Sequence, residues 1–108
     1  MTGGELSKKL DLTPFSAANE DRTVSGGYIG DLLSWVMGRA ESDQVWITIM
    51  SNQNIVAVAT LTDVAMIVLA EGVCPDEGVT EIAASRGINL YGSKLPAFEL
   101  ATRIGSVI

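Results

Sequence analysis

The sequence predicts an α/β fold, a mostly parallel β-sheet flanked by helices, in a single domain. Two observations point there. From residue 23 to the end, short apolar runs alternate with stretches whose apolar positions recur at helical spacing, the pattern of strands joined by covering helices. The length, 108 residues, is that of one domain and allows burial of about two-thirds of the unfolded chain's surface. Residues 1–22 read as an N-terminal helix and an edge segment, and residues 23–108 as the α/β core.

The elements follow in order. Leu6 and Leu10, four apart, place a short helix over Glu5 to Leu10, broken by the Asp11 to Pro14 segment. Phe15 to Ala17 is expected as an edge strand, and Asn19-Glu20-Asp21 as a polar turn. Thr23 to Tyr28 is a strand running into Gly26, Gly27 and Gly30. A helix from Asp31 to Met37 has Leu32, Leu33, Val36 and Met37 on one face, Asp31 at its dipole-favoured start and Gly38 as its stop. Val45 to Met50 alternates as a strand. Ser51 to Asn54 offers capping residues for a helix over Gln53 to Asp63. Met66 to Leu69 is a buried strand; run length and caps, not β-propensity, divide it from that helix. Pro75-Asp76-Glu77 opens a helix carrying Val79, Ile82 and Ala83, closed by Gly87. Ile88 to Tyr91 is a short strand. The last helix starts near Leu95-Pro96 and carries the stripe Ala97, Leu100, Ala101, Ile104 and Ile108.

Composition narrows the function. Thirteen acidic against seven basic residues give a net charge of −6, the opposite of a nucleic-acid footprint and unfavourable for an anionic membrane surface. A single cysteine, Cys74, closes no internal disulfide. Met1 to Lys9 lacks a signal-peptide apolar core, and Val64 to Ala70 is too short to span a bilayer, so the cytoplasm is expected. No histidine is present, which removes Ser-His-Asp and Cys-His catalysis, histidine-ligated zinc and histidine phosphorelay. An enzyme would have to work with carboxylates, Tyr28, serine or lysine alone; the expectation is no enzyme and no metal. Hydrophobic residues make up 47% of so short a chain, which favours a covered surface and hence a homodimer.

Four motifs bear on binding. Ser25-Gly26-Gly27-Tyr28-Ile29-Gly30 is close to a dinucleotide fingerprint in a strand-to-helix context, where backbone N–H groups favour anions. The acidic residue that a dinucleotide site wants about 20 positions on has only Glu41 and Asp43 as candidates. The alternative is a tight turn that needs glycine for its geometry. Gly87 to Lys94 has serine before lysine, the wrong order for a phosphate loop, and a strand in its interior. Glu71, Asp76, Glu77 and Glu81 read better as helix-start acids than as metal ligands. Cys74 has no basic neighbour to activate it, and Trp46 reads equally as core or as interface anchor.

The run Gly26 to Met37 (GGYIGDLLSWVM) resembles a small stand-alone DRTGG-domain protein. The likeness continues through Val45 to Thr48, Asn54 to Ala59, the Gly72…Pro75-Asp76 turn and Ala97-Phe98-Glu99. Such domains also occur in phosphotransacetylases and together with CBS domains, and are similar to the N-terminal, non-catalytic domain of HPr kinase/phosphorylase. The resemblance implies a largely parallel α/β sheet, often a dimer, and no kinase activity, because the phosphate loop of the kinase belongs to another domain. Family members also occur near hydrogenase genes, which implies a redox enzyme as a conceivable partner. The chain departs from the family at Asn52 and Asn54, where an Asp-Arg pair is usual, and at Leu69-Ala70-Glu71, before a retained Gly72. The Asp21-Arg22-Thr23 and Gly26-Gly27 letters are not the motif that names the family.

The resulting expectation is a non-enzymatic regulatory module, homodimeric, that binds a small polar or anionic ligand or a partner protein. Its ligand would be held by Ser25, Gly26, Gly27, Tyr28 and Asp31. The alternative is a structural interaction subunit that docks on a larger enzyme.

Overall fold

The computed structural model describes residues 1–108. Its elements are α1 (Gly3–Lys9), β1 (Thr13–Ser16), β2 (Gly27–Ile29), α2 (Leu33–Arg39), β3 (Val45–Thr48), α3 (Asn54–Thr62), β4 (Met66–Leu69), α4 (Val79–Ser85), β5 (Leu90–Gly92) and α5 (Ala97–Gly105). One five-stranded sheet runs in the order β1-β5-β4-β3-β2. β2 to β5 are parallel, and β1 returns antiparallel on β5. The expected α/β sheet is therefore mostly parallel with one antiparallel edge.

Strand order follows chain order from β2 to β5, so successive right-handed crossovers place their helices on one face. There Trp46, Ile67, Leu69 and Leu90 pack under Val36 of α2, Ile55, Val56 and Ala59 of α3, and Val79 and Ala83 of α4. The other face carries Val45, Ile47, Met66, Val68 and Tyr91 under Leu6 of α1 and Leu100 and Ile104 of α5. β3 and β4 are buried along their whole length, as expected for parallel strands covered on both sides.

Several boundaries move, each for a local reason. α1 starts two residues early because Thr2-Gly3-Gly4-Glu5 is a capping box. The Thr2 hydroxyl accepts from Glu5 N–H at 3.1 Å, and Thr2 N–H donates to the Glu5 carboxylate at 2.9 Å. β1 is Thr13–Ser16 rather than Phe15 to Ala17, set by its register on β5. The strand expected over Thr23 to Tyr28 is interrupted. Thr23 bridges Thr2, Val24 N–H donates to Met1 O, and β2 begins only after Gly26 at φ +76°. α2 is shifted to Leu33–Arg39, so Asp31 is not its cap and Gly38 lies inside it. β3 stops at Thr48, short of Met50. α4 waits for Gly78, at φ +86°, rather than opening at Pro75. β5 is Leu90–Gly92, set by its register on β4 from Ile67↔Leu90 to Leu69↔Gly92. α5 ends at Gly105, so Ile108 falls beyond the helix and its stripe.

Arg22 clamps the amino ends of β3 and β4. Its guanidinium lies 3.0 Å from Asp43 and 3.0 Å from Asp63, which ends α3 in a left-handed conformation. The Ser42 hydroxyl donates to Asp63 at 2.7 Å; this bond, then Arg22, holds the Asp63 carboxyl below its usual range. A lowered folded-state pKa gives stability that is present above the unfolded value and lost as pH falls through the folded one. Asp63→Asn is therefore expected to lower Tm at neutral pH, by less than about 1 kcal/mol for so exposed a pair. The gap from wild type should narrow as pH falls from neutral through and below the usual carboxylate range. Thermal melts across that range check this; a gap independent of pH would show that the Asp63 charge is not what matters.

Candidate functional site

The corner between β2 and α2 is fixed from below by Trp46. Its indole N–H donates to Gly30 O at 2.9 Å, and the ring is fully buried. A Cβ on Gly30 would lie 2.9 Å from the Tyr28 ring and 3.4 Å from Val36, so only glycine lets the corner close on that ring. Asp31 follows, and its Oδ1 accepts from the Thr48 hydroxyl at 2.8 Å and from Ile49 N–H at 3.0 Å. Along the same carboxyl edge of the sheet, the Ser51 hydroxyl donates to Asp76 at 2.8 Å, and Asp76 N–H donates to Ser51 O at 2.9 Å. These carboxylates staple loop to loop.

Gly26 and Gly27 lie at the opposite, amino end of β2. With about 3.3 Å of rise per residue, Gly27 and Asp31 are about 13 Å apart. The structure thus divides the residues singled out from sequence. Gly26, Gly27 and Tyr28 line one groove of about 400 Å³ between β2 and the end of α5. Ser25 is exposed beside them, its N–H donating to Asp43 O, and Asp31 sits at the far end of the strand. The glycines precede a strand rather than a helix, so no helix N-terminus faces them. The groove is floored by Ile29, Val45 and Ile47 and walled by Ile104 and Ile108, without a charged side chain.

Several large apolar side chains outside the core are exposed, and the sequence reading did not single them out. Ile29, Leu32, Trp35, Met37 and Ile49 each have about half of their surface in solvent, 47% to 59%. Arg39 covers part of Trp35, its guanidinium carbon 3.9 Å from the ring centroid. Trp46, left open between core and anchor, is core; Trp35 is the exposed one. The available signal was α2's pattern, where Leu32, Leu33, Trp35, Val36 and Met37 are more apolar residues than one buried face can take.

A second groove, about 600 Å³, opens at the carboxyl end of β5. Asp11, Thr13, Pro14, Ser93, Lys94, Leu95 and Arg103 contribute to its lining. Arg103 is 2.9 Å from Glu99 on the same helix. Ligands of open α/β sheets gather outside the carboxyl ends of the strands. Ser93-Lys94, wrong for a phosphate loop, thus places a cation where an anionic ligand would be met. No group of three or more His, Cys, Asp or Glu side chains is arranged to hold a metal, and Cys74 is exposed.

No family model matches this chain, and no curated protein does. Among solved structures, it is similar to the CBS and DRTGG domains of the regulatory region of Clostridium perfringens pyrophosphatase, complexed with the activator diadenosine tetraphosphate. The TM-score is 0.73 over 90% of this chain and 43% of that one, at 11% identity. The fold is DRTGG-like. At that identity the likeness is one of fold, and the chain spans less than half of that neighbour's length. Asn52 and the Glu71-Gly72 pair serve local geometry. Asn52 accepts from Asn54 N–H at 2.9 Å to start α3, while Glu71 and Gly72 both take left-handed conformations. No helix is long and apolar enough to cross a membrane.

Proposed function

We propose that this chain is a non-enzymatic regulatory module, homodimeric and cytoplasmic, that responds to a small anionic ligand. The observation that carries the reading is the groove at the carboxyl end of β5. It joins Lys94 and Arg103 to the Ser93 and Thr13 positions in an otherwise acidic chain. The carboxylates of Asp31 and Asp76 are held by neighbouring loops. The fold shared with a pyrophosphatase regulatory region supports a regulatory role, and the kinship to the N-terminal domain of HPr kinase/phosphorylase is part of the same proposal. Gly26, Gly27 and Tyr28 belong to the apolar groove and serve macromolecular contact; Ser25 and Asp31 flank it.

A thermal-shift series with inorganic pyrophosphate, ATP and diadenosine tetraphosphate tests the ligand. A ligand present at about 100 times its Kd adds about 2.7 kcal/mol to stability, which is a rise of many degrees for a domain of this size. The expected result is a saturable rise that Lys94→Glu abolishes. A flat series would overturn the ligand reading. It would leave the second one, an interaction subunit docked on a larger enzyme, for which the exposed Leu32, Trp35 and Met37 speak.

A further inference from the structure

We infer that β2 is the two-fold seam of the homodimer, pairing antiparallel with β2 of a second copy about an axis through Tyr28. This rests on the homodimeric reading above and names its surface.

The first argument is backbone parity. Val45 N–H donates to Gly26 O at 3.1 Å, and Gly30 N–H donates to Ile47 O at 3.2 Å. In a parallel ladder with the register Gly27↔Val45 and Ile29↔Ile47, residues 26, 28 and 30 bond inward. The N–H and C=O groups of Gly27 and Ile29 therefore face outward, and β2 is an edge strand. Antiparallel pairing centred on Tyr28 sets Gly27 against the partner copy's Ile29 and Ile29 against the partner copy's Gly27. Both are outward-facing pairs, and each exchanges two hydrogen bonds. An isologous contact needs this self-complementarity.

The second argument is shape. Residues paired across a ladder place their side chains on the same face. Gly27 and Ile29 both face the α5 side, where the groove of about 400 Å³ lies. The missing side chain of Gly27 leaves room there, and the partner copy's Ile29 fills it, beside Ile104 and Ile108. The exchange is reciprocal, so each copy supplies one knob and one hole.

The third is the contrast between the two sheet edges. β1 carries Pro14 and a register irregularity between Pro14 and Ser16, devices that discourage pairing. β2 carries neither, nor any charge. Around it Ile29, Leu32, Trp35, Met37, Ile49 and Ile108 each expose on the order of 100 Å². Together that is on the order of 600 Å², about three-quarters of the ~800 Å² per partner of a standard stable interface.

Sedimentation velocity over the micromolar range, joined to amide exchange by NMR, tests the seam. Wild type is expected to sediment as a dimer with slow exchange at Gly27 and Ile29. Ile29→Lys, an edge-blocking charge, is expected to halve the apparent mass. Leu32→Glu leaves the strand sequence intact and changes a side chain 59% exposed; it is expected to do the same and to release both amides, with an unchanged circular dichroism spectrum. Should Ile29→Lys fail to fold, Leu32→Glu decides alone. A dimer that survives Leu32→Glu, or one in which Gly27 and Ile29 exchange freely, overturns the β2 seam and leaves the homodimer standing. A monomer throughout the range overturns both and gives the apolar edge to a different protein.

Discussion

Trp46→Ala is expected to cost about 3–5 kcal/mol, the usual range for deleting a fully buried aromatic ring. The ring is the largest fully buried side chain and lies between β3 and the α2–α3 layer. The substitution leaves a cavity there and takes the donor from Gly30 O. Domains of this size have about 5–15 kcal/mol in all, so a large share of the stability goes. Trp46→Phe separates the two parts: most of the packing stays, and the unmet Gly30 carbonyl costs about 1–3 kcal/mol. Urea titrations followed by circular dichroism measure both. A loss below 1 kcal/mol for the alanine variant would mean that the corner is not built on this indole. Because Gly30 sets where α2 begins, the phenylalanine variant should also weaken whatever binds along Leu32 and Trp35.

Asn89→Ala is expected to cost about 2–4 kcal/mol, from three bonds lost at a buried position. The Asn89 carbonyl accepts from Asn19 N–H at 2.7 Å; its amide donates to Asn19 O at 2.7 Å and to Ala65 O at 3.0 Å. One side chain thus ties the N-terminal segment, the start of β4 and the start of β5. Asn89→Asp gives a sharper result. It keeps the acceptor but aims a buried carboxylate at the Asn19 and Ala65 carbonyls. Burial raises such a pKa, so the protonated form is favoured in the folded state, and the variant should recover stability on acidification. Melting curves at neutral and mildly acid pH read this directly; an aspartate variant equally unstable at both would argue against the two donor bonds.

The core strands and α3 were legible because their signals are local. Met66 to Leu69 is a short continuous apolar run closed by punctuation, and Asn52-Gln53-Asn54 marks a helix start whatever surrounds it. Thr23 to Tyr28 misled because half of that run pairs with Met1 and Thr2, a contact that periodicity does not contain. The candidate site residues are spread along β2 for a related reason. Gly26-Gly27 before an apolar run looks like a turn after a strand, but its position relative to β3 is set by the register Gly27↔Val45, which moves it to the amino end of β2. Lys94 and Arg103 meet only when the loop after β5 folds against α5. Tyr91 was legible as a strand residue only; burial, then the Glu20 carboxylate, raises its phenol pKa, and its hydroxyl makes no hydrogen bond.

The return of β1 to the far edge of the sheet shapes how the chain assembles. During synthesis β2, β3, β4 and β5 dock one after another, each needing only the strand just before it. β1 emerges earlier than all of them, yet its neighbour β5 is the last strand made, and the Asn19–Asn89 tie spans 70 residues. Until then the early segment is moored locally, through Met1 and Thr2 to Thr23 and Val24 and through Gly3 and Gly4 to Arg22 and Glu20. Pro14, with no N–H to donate, makes β1 a poor partner for other strands during that wait, so a strand made early closes the finished sheet.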